Sequence, residues 1–143
     1  MAQTELAGFP TGKWTESEIV PALASAEASL LTSLEADPAN RTANHRLGLI
    51  AMLRQDFSAA ATYLEAAYAR SPGHRGIVKS LGYCYVWLGE YEKAQGYLQE
   101  IPEAKSEIDV YIWWWDVQGR HDLSLHAAAM SDLLRSKANT ITP

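Results

Sequence analysis

The sequence of 143 residues is short of several things, and each shortage excludes something. It holds one cysteine, Cys84, which can form no internal disulfide. Set in "SLGYCYVW", that thiol reads as a small core residue rather than a nucleophile. No block of Lys or Arg exceeds two residues, and 12 basic residues face 17 acidic ones, for a net charge of −5. Nucleic acid and anionic membranes need a dense basic footprint, so neither is an expected partner. No apolar run approaches the ~20 residues of a membrane span, so no membrane insertion is expected. The opening "MAQTELAGFPTGKW" lacks a basic start followed by an apolar run, so no secretory signal is read there. A cytoplasmic location follows as the expectation, and the sequon at Asn40-Arg41-Thr42 then carries little meaning.

Catalytic constellations are also missing. "GHRGIVKS" at 73–80 has no Gly directly before its Lys and no strand ahead of it, so it cannot work as a phosphate loop. His121, Asp122 and His126 offer two ligands at i,i+4 spacing but no third, and a solvated helix surface is the better reading. No Ser/His/Asp set or carboxylate pair emerges. The expectation is therefore no enzyme, no catalytic residue, no metal and no cofactor.

What is present is an ordinary globular composition, 48% apolar and 20% charged, in a chain long enough to bury a core without staples. Residues 1–15 carry Gly8, Pro10 and Gly12 without periodicity and read as a flexible lead-in. "TESE" at 15–18 resembles a capping box, Thr15 with Glu18, and predicts a helix over 16–36 ending at Asp37-Pro38. Pro21 either occupies its first turn or delays its start.

The chain then repeats itself. With a shift of 34, Pro38 lies over Pro72, Leu47 over Leu81, Gly48 over Gly82, Ala60 over Ala94 and Leu64 over Leu98. A third copy follows with a shift of 30, placing Leu81 over Tyr111, Tyr85 over Trp115 and Gly89 over Gly119. The four missing residues fall at "EIPEA". Apolar residues recur at helical spacing on either side of the polar breaks "LRQD", "LGEY" and "VQGRHD". The pattern predicts helix–turn–helix units over about 41–72, 75–102 and 105–136, with a tail from 137 to 143.

These residues resemble the tetratricopeptide repeat family. The first unit carries the pattern in Leu47, Gly48, Ala60, Leu64, Ala67 and Pro72, and the second in Leu81, Gly82, Tyr85, Ala94 and Leu98. The third departs from it, with Ile112 at the Gly position and Ser124 at the Ala position. The helix at 16–36 matches the second helix of a preceding repeat, which would suit one segment of a longer repeat protein. The resemblance implies an all-α solenoid of about seven antiparallel helices.

Within that frame the run Trp113-Trp114-Trp115 divides by angle. At about 100° per residue the three point three ways. Trp115 falls with Ala51 and Tyr85 on the core side, and Trp114 with Ile50 and Cys84 at the edge where one repeat packs on the next. Trp113 falls with Leu49 and Tyr83 nearly opposite the core. The resemblance makes that opposite face a concave groove, so partner-binding residues are expected at Leu49, Met52, Leu53, Lys79, Tyr83, Val86, Trp87, Trp113, Asp116 and Val117. The competing reading covers this row internally, by the first helix or by Phe9 and Trp14. Asp109 and Asp116 flank Trp113 either as contacts or as helix solvation. A clamp for a partner's terminal carboxylate is not expected, since Lys79 is the one basic residue among His45, Leu49, Lys79, Ser80, Ser106 and Val110. The expected function is a non-catalytic module that binds a protein or peptide through an apolar face, as scaffold, assembly factor or chaperone. The alternative is a self-associating subunit, a homodimer or part of a larger complex, using the same aromatics.

Overall fold

The computed structural model describes the backbone of residues 16–141 and the side chains of 20–137. The lead-in, the Thr15–Glu18 cap and any cover by Phe9 or Trp14 lie outside those residues. The described chain is seven α-helices with no strand: α1 (Glu16–Ala36), α2 (Arg41–Leu53), α3 (Phe57–Arg70), α4 (Arg75–Trp87), α5 (Tyr91–Leu98), α6 (Ala104–Val117) and α7 (His121–Ile141). No helix among the described residues is long and apolar enough to cross a membrane. Contacts divide the chain into two compact units, up to Ile77 and from Val78 onward.

The repeat is written into the backbone. Residue 55 and its equivalents 89 and 119 each take a left-handed conformation, with φ of 59° at Gln55 and 78° at Gly89 and Gly119. Around each, the same three N–H groups close the same helix end. Asp56 N–H reaches the Ala51 carbonyl, Glu90 that of Tyr85, and Arg120 that of Trp115, at 2.9, 2.9 and 2.8 Å. This 6→1 bond, with the left-handed residue inside it, satisfies helix carbonyls that would otherwise lack partners. Glycine adopts that conformation without a Cβ penalty, and the first repeat tolerates glutamine there.

In the first unit α2 packs on α1 and α3. Its core is Leu47, Ile50, Ala51, Phe57, Ala60, Leu64 and Ala67, all buried. Asn40 caps α2 by accepting the Ala43 N–H at 2.9 Å, and Asp56 caps α3 by accepting that of Ala59 at 3.2 Å. Buried Asn44 is satisfied, its amide donating to the Pro38 and Asn40 carbonyls at 3.1 and 3.0 Å.

At the end of this unit His45 meets His74 edge to face, with ring centroids 5.4 Å apart. His74 Nδ1 accepts the Ile77 N–H at 3.2 Å, capping the first turn of α4. Burial, with His74, Arg41 and Arg46 adding repulsion, holds the His45 pKa below its ordinary 6.5. The folded chain therefore takes up this proton less readily than the unfolded chain does. Stability is complete above pH 6.5 and falls as the pH drops from there toward the lowered value. Thermal melts between pH 7.5 and 5 are expected to show a falling midpoint, with a shallower slope in His45→Gln. An equal slope in the variant would remove His45 as the cause.

In the second unit the core gathers Leu81, Cys84, Tyr85, Val86, Trp87, Ala94, Leu98, Ile108, Trp115, Leu123, Ala127 and Met130. Cys84 is a buried free thiol. α5 stops at Leu98, six residues shorter than the 14 of α3, and Ile101 then buries its side chain before α6 begins. α7 packs on α6 and α5, and between α5 and α7 the Tyr91 hydroxyl lies 2.8 Å from His126 Nδ1. α7 itself runs on to Ile141, past the 136 at which the sequence pattern closes the last repeat.

The third helix pair solves its crossing differently from the first two. Where Gly48 faces Leu64 and Gly82 faces Leu98, Ile112 takes the glycine position. Its carbonyl accepts the hydroxyl proton of buried Ser124 at 2.8 Å. Ser124 thus adds a polar tie to the backbone of α6 that an alanine at its position could not make.

Candidate interaction surface

Helical spacing places the expected row on the first helices of the units, and the structure sorts its members by burial. On α2, Leu49, Met52 and Leu53 are half-buried. On α4, Tyr83, Val86 and Trp87 are 7%, 0% and 5% exposed, so they are core side chains and not the open groove floor expected of them. The reason is α6, which lies against this face of α4. The Tyr111 ring centroid is 5.9 Å from that of Tyr83 and 5.0 Å from that of Trp87, and Trp115 sits 5.4 Å from Trp87. Each ring meets its neighbour edge-on, the arrangement that aromatic quadrupoles favour.

Polar groups seal the rim of this contact. The Tyr83 hydroxyl donates to Glu107 at 2.5 Å, and Lys79 reaches Glu107 at 2.8 Å and Glu103 at 3.2 Å. Burial, then the Glu107 carboxylate, drives the Tyr83 pKa far upward, so the phenol stays a donor. Burial works against the Lys79 cation, but Glu107 and Glu103 outweigh it and hold its pKa above the ordinary value. Lys79 is therefore committed inside the unit, which removes the one cation a carboxylate clamp would need.

On α6 the row opens. Trp113 is 62% exposed and Val117 59%, and Asp116 is exposed with its carboxylate 2.5 Å from His121 Nδ1. Val110, three residues before Trp113, is 61% exposed and was not among the residues expected in the row. The i, i+3, i+7 spacing of Val110, Trp113 and Val117 is the signal that identifies it. Asp109 flanks the stripe. It accepts a hydrogen bond from Ser131 and pairs with Lys105 at 3.0 Å; Ser131 first, then Lys105, holds its pKa below the ordinary carboxylate value.

The other two tryptophans are placed as their angles require. Trp115 is 1% exposed. Trp114 is half-buried, and its indole Nε1 is enclosed with no hydrogen-bond acceptor among the described residues. Among those residues no cluster of three His, Cys, Asp or Glu side chains could hold a metal ion.

Comparison with known families bears on this segment directly. Residues 51–111, from the end of α2 into α6, match the family model for the tetratricopeptide repeat. These residues are similar to the tetratricopeptide repeat, over less than half of the chain. A search of curated proteins finds no match to the chain. Tetratricopeptide repeats generally mediate protein–protein interaction and are typically non-catalytic. Gly48 and Gly82 each lie where the two helices of one pair approach closely, against Leu64 and Leu98.

Proposed function

We propose that the chain is a non-catalytic protein-interaction module whose α6 face receives apolar side chains of a partner. The observation that carries this reading is Trp113, 62% exposed between Val110 and Val117 on a well-formed helix. Scattered exposed leucines or valines need no explanation, but a tryptophan aligned with two further apolar residues forms a patch of the kind interfaces use. Covering one such ring contributes a few kcal/mol, at about 25 cal/mol per Å2 buried, before the cost of association. Role as scaffold, assembly factor or chaperone, and a cytoplasmic setting, belong to this reading as its finer terms.

Trp113→Ala tests it. The ring is mostly in solvent, so folding stability is expected to change by no more than about 0.5 kcal/mol. Capture of binding partners from a lysate of the source cells is expected to drop sharply. If the variant folds normally and captures the same proteins as the parent, the α6 face is not the binding site. A dimer that dissociates on Trp113→Ala, seen in a dilution series, would instead favour the self-associating subunit.

A further inference from the structure

The way α6 covers α4 supplies a template for what would cover α6. On α4 the recognised positions are Lys79, Tyr83 and Trp87, one turn apart. α6 answers them with Glu103 and Glu107 on the lysine, Tyr111 on both rings, and Trp115 on Trp87. The answering helix thus carries a charged residue one turn ahead of an aromatic i,i+4 pair. Applying the repeat shift of 30, the positions of Lys79, Tyr83 and Trp87 are held on α6 by Asp109, Trp113 and Val117. The same three-position face recurs, now exposed, with its charge reversed.

Lys105 and His121 each engage one of the two carboxylates here, and both carboxylates stay partly exposed. Asp109 uses one oxygen for Ser131 and the other for Lys105, and its side chain remains 42% exposed. A carboxylate offers about four acceptor sites, so it can take a further donor. Asp116, 54% exposed, adds a second carboxylate beside Trp113, its Oδ1 engaged by His121.

Resting on the interaction reading above, we propose that the α6 face binds one amphipathic helix of a partner protein, laid along α6 as α6 lies along α4. That helix presents apolar or aromatic side chains at i and i+4 and a Lys or Arg one turn before them, which meets Asp109. The basic residue sets specificity and the ring of Trp113 supplies the contact area.

The probes are two labelled alanine-based peptides of about 18 residues, long enough to form an isolated helix. Both carry Tyr at i and Trp at i+4; one has Lys at i−4 and its twin has Glu. In anisotropy titrations the Lys peptide is expected to bind the full chain at least about tenfold more tightly than the Glu peptide. Asp109→Lys is expected to reverse the preference. Asp109→Asn, which keeps an acceptor for Ser131, is expected to bring the two peptides close to parity. Trp113→Ala is expected to abolish binding of both. Equal binding of the two peptides, or a preference unmoved by Asp109→Lys, overturns the proposal. If either occurs while Trp113→Ala still removes partners from the pull-down, helix recognition fails and the interaction reading survives. If Trp113→Ala alters neither assay, both fall. Self-association that competes with the peptides and is lost in Trp113→Ala also overturns it, by making a second copy the occupant.

Discussion

Trp115→Ala is expected to lower the unfolding free energy of the second unit by about 3–5 kcal/mol. Trp115 is 1% exposed and stands at the centre of an aromatic cluster. Its ring lies 5.4 Å from that of Trp87 in edge contact and 6.1 Å from that of Tyr111 in a near-parallel stack. Truncation removes the transfer free energy of the ring and leaves a cavity that Trp87 and Tyr111 cannot fill without moving off Tyr83. Because α6 is held to α4 through these same rings, loosening them is expected to loosen the face that carries Trp113. Urea unfolding followed by circular dichroism measures the effect. A loss under about 1 kcal/mol would mean that Trp115 is not the anchor of this core. The comparison with Trp113→Ala, two residues earlier and expected to be nearly neutral, shows how much of a tryptophan's worth is set by its direction.

Gly82→Ala and Gly96→Ala are expected to change stability with opposite signs. A Cβ at Gly82 would stand 2.5 Å from Leu98 Cδ2 and 2.6 Å from its Cγ, with Tyr97 Cβ at 3.3 Å. Leu98 is 2% exposed, held inside the core of its helix pair. Overpacking of this kind costs about 1–3 kcal/mol, against a helix-propensity gain of up to about 1 kcal/mol, so overpacking wins. A Cβ at Gly96 meets nothing within 4 Å, and only the propensity gain of about 0.5–1 kcal/mol remains. Gly48→Ala is expected to follow Gly82, since its Cβ would lie 2.6 Å from Leu64 Cγ. Denaturation midpoints of the three variants decide the matter. A stabilised Gly82→Ala would show that the helix pairs do not need their close approach.

These two predictions also mark how far the residues alone reach. Gly48, Gly82, Leu64 and Leu98 announce the helix crossings in the sequence itself, because only a small residue opposite a large one gives dense packing at that distance. The angular division of the tryptophans places Trp115 inside for the same reason that any helix has one core-facing side. Ser124 stands in the sequence only as a departure from the Ala of the pattern. Its hydrogen bond is a contact across 12 residues that no local periodicity contains.

The sequence by itself therefore determined the helical repeat, the turns at Gly89 and Gly119, and which side of each first helix meets its own second helix. Those follow from spacing along one chain and from the backbone freedom of glycine. Only the tertiary structure decided what occupies the remaining sides. Tyr83 and Trp113 hold the same repeat position, yet one is 7% and the other 62% exposed. Periodicity fixes the direction in which a side chain points, while burial depends on whether another helix lies in that direction. α6 lies there for Tyr83, and among the described residues no helix lies there for Trp113.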